Sequence, residues 1–249
     1  FARTYAACRG EYIALLEGDD YWLEPSKLAV QLAYLRANDD VTLVAHRALR
    51  VFEHSADSTV RSRWPHEVIP ANEIGAISLS QIAGFRFMIP TASVFFRRDI
   101  IEPIDDWLYD LPFADWFIWC KSALAGKVVL LDFVGSVYRV GAHGEVGRTN
   151  SNERFAKGQA ELLHRLLPLA ASDQRDALLD GLQKNVYERC DEVDQSGAPR
   201  FVAIRLLSHL AVTQLRFGRM PGGKTYRWLV RFLFKGALGP RPPGATFQG

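Results

Sequence analysis

The chain has 249 residues, of which 48% are hydrophobic and 23% charged, an ordinary globular composition with enough apolar residues for a sizeable core. Its three cysteines are odd in number and widely spaced, which argues against a disulfide framework or a cysteine-based zinc site and favours a reducing compartment. The formal net charge of +2 conceals an asymmetry, because residues 1–150 carry 15 Lys and Arg against 19 Asp and Glu, whereas residues 151–249 carry 15 against 9. The basic second part predicts an anionic partner.

Residues up to about 150 alternate short β-prone runs with helical patterns, which predicts an α/β fold with a mostly parallel sheet flanked by helices. Glu24-Pro25-Ser26 is a helix start signal and Gly126 a helix stop signal. In chain order, the first predicted elements are the end of a helix at 1–9, a strand at 11–18, a helix at 24–38 and a strand at 41–52 that can continue into a second strand. They are followed by a polar loop at 53–70, a short helix at 76–84, a strand at 91–99, a helix at 113–126 and two short strands at 127–140.

The remainder, 151–249, has amphipathic helical patterns and is predicted to be a helical, basic extension that follows the 1–150 domain. Residues 194–200 have the composition of a linker. The apolar run 201–217 is short for a membrane span and contains Arg205 and His209, so no transmembrane helix is predicted there.

Three acidic residues follow the first predicted strand, in the segment Glu17-Gly18-Asp19-Asp20. Like charges this close raise each other's pKa unless a cation lies between them. Carboxylate oxygens suit Mg²⁺ or Mn²⁺, and the carboxyl ends of strands are where α/β sheets bind ligands. A solvated acidic turn that caps the next helix fits the same residues, and both interpretations stay open from the local sequence.

Asp115 lies among apolar aromatic residues, between Phe113 and Trp116, at the start of a predicted helix. A carboxylate there can be a simple N-cap, which is the commoner role of Asp at that position. It can also be a general base whose pKa is tuned by a partly apolar environment.

Three segments together carry a family resemblance: ARTYAACRGEYIALLEGDDYWLEPSKLAVQLAYLRAN, PTASVFFRRD and ADWFIWCKSALAGKVVLLDFVGSVYRVGAHG. In order and spacing they resemble the family 2 glycosyltransferases of GT-A fold over about residues 2–147. The resemblance implies an enzyme that transfers a sugar, with inversion, from a nucleotide-diphosphate donor to a hydroxyl acceptor, in cell-envelope or exopolysaccharide synthesis. A catalytically inactive GT-A-like binding or scaffold module is the alternative.

The resemblance also implies roles for individual residues. Asp19 and then Asp20, with Glu17 as a weaker candidate, would bind Mn²⁺ or Mg²⁺ on the donor diphosphate. Asp115 would be the catalytic base, with Ala114 in the place where many relatives have Glu. Further residues implied are Arg3 and Arg139 at the donor, and Thr91, Ser93 and Trp116 at the acceptor.

Several of these residues are also compatible with roles outside a catalytic site. Core packing explains Trp116 equally well, and Arg3 fits a helix surface. His143 stands two residues after the place where relatives often have His, a departure that argues against a metal or phosphate role for it, and His46 is expected to be a core histidine. Because the family's first strands are missing before Glu17, the sequence is expected to be a fragment that binds nucleotide-sugar poorly by itself.

The predicted helix at 224–236 has Lys224, Arg227, Arg231 and Lys235 at spacings of 3, 4 and 4, with aromatic and aliphatic residues between them. One basic stripe of this kind is typical of a helix at a membrane interface. A helix packed on the rest of the protein with its charges in water is equally compatible. The resemblance implies a cytoplasmic protein with a glycan or lipid-linked acceptor, and a membrane contact through 224–236 would place it at the inner face of the membrane. No nucleic-acid motif is present.

Overall fold

The computed structural model describes residues 2–53, 66–69, 74–84, 89–104, 107–108, 111, 113–141, 152–196 and 200–233. Its strands are β1 (Tyr12–Ala14), β2 (Tyr21–Trp22), β3 (Val41–Glu53), β4 (His66–Ile69), β5 (Gly75–Ile77), β6 (Phe95–Arg97) and β7 (Lys127–Gly141). Its α-helices are α1 (Ala2–Ala7), α2 (Lys27–Ala37), α3 (Leu79–Ala83), α4 (Asp115–Ala125), α5 (Asn152–Leu166), α6 (Ser172–Ser196), α7 (Arg200–Arg216) and α8 (Gly223–Leu233).

One mixed sheet organises the first half of the chain. Its central path is β1-β6-β3-β7-β2, with β4 paired to β3 and β5 paired to β7. Among the described strands only β3 and β7 run parallel, and every other pairing is antiparallel. The α/β class is therefore confirmed, but the prediction of a mostly parallel sheet is wrong. Short strands such as β1, β2 and β6 can pair antiparallel across long sequence separations, which periodicity alone does not reveal.

Two strand predictions need correction. Residues 127–140 form one strand, β7, whose pairing with β3 has a register shift where His46 pairs with Leu131 and Arg47 with Val134. The residues of β7 that are left unpaired at this register shift include Phe133, and the centres of the Phe133 and His46 rings lie 4.8 Å apart. The predicted polar loop at 53–70 contains β4, and most of its other residues lie outside those described.

The helix predictions hold with adjusted bounds. α2 and α4 begin and end close to their start and stop signals. Only the second half of 76–84 is helical, because β5 occupies its beginning and Ser78 forms a capping box with Gln81 at the start of α3. The predicted strand at 91–99 is a 3-10 turn at Thr91–Ser93 followed by the short β6. The predicted linker is helical up to Ser196, where α6 ends.

The C-terminal helices pack on the sheet region through one continuous apolar core. Core residues of α5 to α8 join those of α3 and α4 in a single cluster, including Ile82, Leu162, Leu182, Leu210 and Trp228. Gly181 of α6 lies directly against Ala83 of α3, and a Cβ at Gly181 would come within 2.5 Å of the Ala83 carbonyl oxygen. The predicted domain boundary near 150 falls among residues outside those described.

The predicted basic stripe on α8 is divided between protein and solvent. Arg231 donates to Asp194 of α6 at 2.9 Å, and both side chains are largely buried. The Lys224 ammonium lies 4.9 Å from the centre of the Tyr187 ring. The buried face of the helix consists of Thr225, Trp228 and Phe232. At least two of the four basic residues therefore contact the protein, as the packed-helix alternative requires, while residues 234–236 lie outside the described part.

Candidate active site

The acidic segment forms a tight turn between β1 and β2. The Asp20 amide donates to the Glu17 carbonyl at 3.2 Å, which closes the turn. Glu17 and Asp19 are exposed, whereas Asp20 is only 7% exposed. The strand before the turn is shorter than predicted, since β1 ends at Ala14. The turn therefore presents two exposed carboxylates and one buried carboxylate at the end of the sheet.

Arg139 of β7 fastens this turn to the sheet. Its backbone amide donates to Asp20 Oδ1 at 2.9 Å, and its guanidinium Nε donates to the Asp19 carbonyl. This geometry puts Arg139 beside the acidic turn, while its donor-binding role stays a prediction from the family resemblance. A guanidinium next to carboxylates can offset their mutual repulsion and can also bind a phosphate oxygen.

The second carboxylate oxygen of Asp20, Oδ2, is buried and accepts no hydrogen bond within the described structure. Burial raises the pKa of Asp20, the Arg139 amide opposes this shift, and the negative charge of Asp19 adds to it. A buried carboxylate oxygen without a donor costs folding free energy unless something else neutralises it. A divalent cation would supply the positive charge that neutralises the Asp20 carboxylate.

Few side chains near the acidic turn are available as ligands for a metal ion. Among the described residues, no group of three or more His, Cys, Asp or Glu side chains could hold a metal ion. Mg²⁺ commonly binds proteins through only one or two carboxylates and takes its remaining ligands from phosphate and water. The two carboxylates of Asp19 and Asp20 match that number of protein ligands.

Tyr138 lies next to Arg139 in β7 and also belongs to this region. Burial raises the pKa of its phenol, and the negative charges of Glu17, Asp20 and Asp19 add to the effect, while Arg50 opposes it. No role was predicted for Tyr138. The signal available in the sequence was its position directly before Arg139, which the resemblance implies to be at the donor.

Asp115 is the first residue of α4, and the N-cap position belongs to Ala114. Its Oδ1 accepts the Trp116 amide at 2.8 Å, and its Oδ2 faces the Thr91 hydroxyl at 3.4 Å. Burial raises the pKa of the carboxyl group, although both contacts favour the charged form. The side chain is thus held at the start of the helix in an environment that makes it a better proton acceptor than an exposed aspartate.

The predicted acceptor residues have different surroundings. Thr91 is partly buried beside Asp115, as just described. Ser93 is fully buried, and its hydroxyl donates to the Pro90 carbonyl at 2.6 Å, so it holds the turn together. Trp116 is 2% exposed, and its indole nitrogen donates to the Ile82 carbonyl at 2.9 Å. The Trp116 ring belongs to the core, as its packing alternative stated.

Trp22 links the two halves of the site. It follows Asp20 by two residues, and its indole nitrogen donates to the Ala92 carbonyl at 3.0 Å. Ala92 stands next to Thr91, whose hydroxyl faces Asp115. The acidic turn and Asp115 are therefore joined through the 3-10 turn at Thr91–Ser93. Trp22 appeared in the sequence only as an aromatic residue after the acidic segment, and no role was predicted for it.

The other residues considered lie elsewhere. Arg3 is exposed on α1, and His143 falls outside the described residues. His46 is fully buried; its Nδ1 lies 2.8 Å from the Arg47 carbonyl, and burial lowers its pKa to about 4. His46 is a core residue.

Comparison with known proteins gives a coarse indication of function. No family model matches the chain. Uncharacterized proteins of Mycobacterium tuberculosis and Mycobacterium bovis are 33% identical over 144 residues, which is 58% of this chain and 39% of theirs. A protein of a Nostoc species named as an uncharacterized glycosyltransferase is 27% identical over 168 residues, which is 64% of this chain and 49% of that protein. The chain spans less than half the length of these relatives.

Proposed function

We propose that this chain carries the acidic turn and the catalytic base of an inverting glycosyltransferase that uses a nucleotide-diphosphate sugar. The observation that carries the proposal is the arrangement of two aspartates whose pKa burial raises, Asp20 and Asp115, joined through Trp22 and the turn that contains Thr91. A distant relative named as a glycosyltransferase supports the general class of reaction. Inversion, the donor and the cell-envelope or exopolysaccharide setting come from the family resemblance.

The chemistry requires one group to take a proton and another to stabilise the leaving diphosphate. Asp115 would accept the proton of the acceptor hydroxyl as that oxygen attacks the anomeric carbon. Bond cleavage transfers the electron pair to the diphosphate, and the Arg139 guanidinium would contact the resulting charge. Asp19 and Asp20 would hold Mn²⁺ or Mg²⁺, which supplies Lewis-acid stabilisation of the diphosphate when it is bound.

The test is turnover by the full-length protein that contains this chain, with UDP-, GDP- and dTDP-sugars, each with Mn²⁺ or Mg²⁺. Asp115→Asn is expected to reduce kcat by about 10²–10⁴-fold, the usual contribution of a general base. Asp39→Asn is a matched control, because the Asp39 side chain is fully exposed and lies in the turn after α2. Wild-type activity in Asp115→Asn would overturn the assignment of the base.

A peripheral membrane contact through α8 is a further part of this proposal. The solvent-facing side of α8 carries Tyr226, Val230 and Leu233, which are 50%, 47% and 57% exposed. From Gln195 to the end, the sequence has nine Lys and Arg and no acidic residue. Exposed apolar side chains in a segment that carries only positive charges are typical of helices that bind the interface of an anionic bilayer. None of the helices in the described part combines the length and apolar character needed to cross a bilayer.

Sedimentation with vesicles tests this contact. The chain is expected to bind vesicles containing phosphatidylserine at low salt and to bind phosphatidylcholine vesicles weakly. Val230→Ser with Leu233→Ser should reduce binding severalfold, whereas Leu169→Ser should not, since Leu169 is 61% exposed in the connection after α5. Equal binding by both variants would contradict a role for α8.

A further inference from the structure

Lys27, the first residue of α2, has a fully buried ammonium group. The side chain is 1% exposed, its Nζ donates to Gln31 Oε1 at 2.8 Å, and the same Nζ lies 4.4 Å from the centre of the Trp22 ring. Burial lowers the pKa of the ammonium to about 8. In the described part of the chain no carboxylate forms a salt bridge with it. The cation is held by one amide oxygen and one aromatic face.

Such an arrangement is unfavourable for stability alone. A buried cation loses its hydration, and neither a neutral amide oxygen nor a ring face replaces it fully. A methionine fills a similar volume without that loss. The position therefore carries a destabilising group where an apolar one would fit, which is typical of residues kept for function.

The two groups that contact the ammonium both bind the same turn. Trp22 donates from its indole nitrogen to the Ala92 carbonyl at 3.0 Å. Gln31 donates from Nε2 to the Ser93 carbonyl at 2.7 Å. Because Gln31 Oε1 accepts a hydrogen bond from Lys27, the amide is oriented with Nε2 toward Ser93. Lys27 thus contacts both of the side chains, Trp22 and Gln31, that donate to the Ala92 and Ser93 carbonyls of the 3-10 turn.

That turn lies between the two halves of the candidate site. Its Thr91 hydroxyl faces Asp115 Oδ2 at 3.4 Å, while Trp22 follows Asp20 in the strand that leaves the acidic turn. A shift in the turn would move the proposed base relative to the proposed metal ligands. Displacements of about 1 Å are enough to cost about a hundredfold in rate.

We propose that Lys27 is a positioning residue that sets Asp115 relative to the acidic turn, acting through Trp22 and Gln31 on the turn at Thr91–Ser93. The catalytic part of this inference rests on the proposed function. The positioning part is a property of the folded chain and can be measured without any substrate.

The experiment uses Lys27→Met in the full-length protein and follows amide hydrogen exchange. The Ser93 amide donates to Pro90 and the Val94 amide to Thr91. Exchange at both amides should accelerate by about tenfold or more, the melting temperature should stay level or rise, and kcat should fall more than the donor KM changes. Gln31→Met, which removes the bond to Ser93 and keeps the lysine, should accelerate the same two amides.

Lys127→Met is the matched control, because Lys127 is exposed and paired with Asp40 at the start of β7. Unchanged exchange at Ser93 and Val94 in Lys27→Met and Gln31→Met would overturn the proposal. A lower melting temperature with faster exchange throughout the sheet would also overturn it, since Lys27 would then serve the fold in general. Selective acceleration in Lys27→Met, together with a wild-type protein that shows no transferase activity, would support positioning and refute the proposed function.

Discussion

Gly181→Ala tests how the C-terminal helices are seated on the sheet region. A Cβ at this position of α6 would stand 2.5 Å from the Ala83 carbonyl oxygen, 2.7 Å from its carbonyl carbon and 2.9 Å from its Cβ. Backbone atoms cannot rotate away, so α3 and α6 would have to separate. The affected helix α3 also supplies the Ile82 carbonyl that binds Trp116, directly after Asp115.

The expected cost follows from two opposing effects. Overpacking of this kind costs about 1–3 kcal/mol. Replacing glycine by alanine within a helix returns about 1 kcal/mol. The net loss in the free energy of unfolding is up to about 2 kcal/mol, which lowers the melting temperature by up to about 8 °C in a protein of this size.

Thermal unfolding followed by circular dichroism or calorimetry measures this loss. Gly223→Ala is the control, because a Cβ there meets nothing within 4 Å and Gly223 begins α8. The control should be neutral or slightly stabilising. If Gly181→Ala proves as stable as Gly223→Ala, then α6 does not approach Ala83 as described and the reasoning is refuted.

Three further predictions concern charge. His46 is buried and its pKa is lowered to about 4, so its stabilising contribution is complete above pH 6.5 and is lost as the pH falls. The wild type should therefore lose about 2 kcal/mol of stability between pH 7 and pH 5 that His46→Leu does not lose, as measured by urea unfolding. Arg231→Met removes the guanidinium that donates to the buried Asp194 carboxylate and should cost about 3–5 kcal/mol, measured by chemical denaturation, whereas Arg231→Met combined with Asp194→Leu should recover much of it. Since burial raises the pKa of Asp115, the acid limb of the kcat/KM profile should lie above the pKa of an ordinary aspartate; a limb at or below that value would contradict its role as base.

Local signals predicted the elements that carry the two acidic groups. Gly126 correctly marked the end of α4, where a Cβ would come within 2.7 Å of the Asp40 carbonyl oxygen, so glycine is needed for close packing as well as for helix termination. The helix pattern placed Asp115 at the start of α4, and the apolar run before Glu17 indicated β1. These features depend on residues close in the sequence, which is why the sequence could reveal them.

Long-range contacts account for most of what the sequence did not reveal. β6 lies between β1 and β3, so residues far apart in the chain become neighbours in the sheet. On α2 the apolar Leu28 is 39% exposed whereas the neighbouring Lys27 is buried, the reverse of what residue type predicts. The Trp22 ring and Gln31 make that burial possible, and both act through contacts that periodicity does not encode.

The contacts of the basic stripe of α8 also could not be predicted from the sequence pattern alone. Its spacing was correct for one face of a helix, yet Arg231 contacts a carboxylate of α6, more than thirty residues earlier. A charge pattern predicts which residues share a helix face. The partner on that face is decided by the rest of the fold, here by Asp194 and the Tyr187 ring.

The most direct test of the central claim is donor turnover by the full-length protein with Mn²⁺ or Mg²⁺, comparing wild type with Asp20→Asn, Asp115→Asn and the control Asp39→Asn. The account predicts metal-dependent transfer in the wild type and the control, and its loss in both site variants while they remain folded. Transfer that persists in either site variant would contradict the assigned role of that residue. A folded wild type that turns over none of the donors would contradict the assignment as a glycosyltransferase using these nucleotide-sugars and favour a binding or scaffold module.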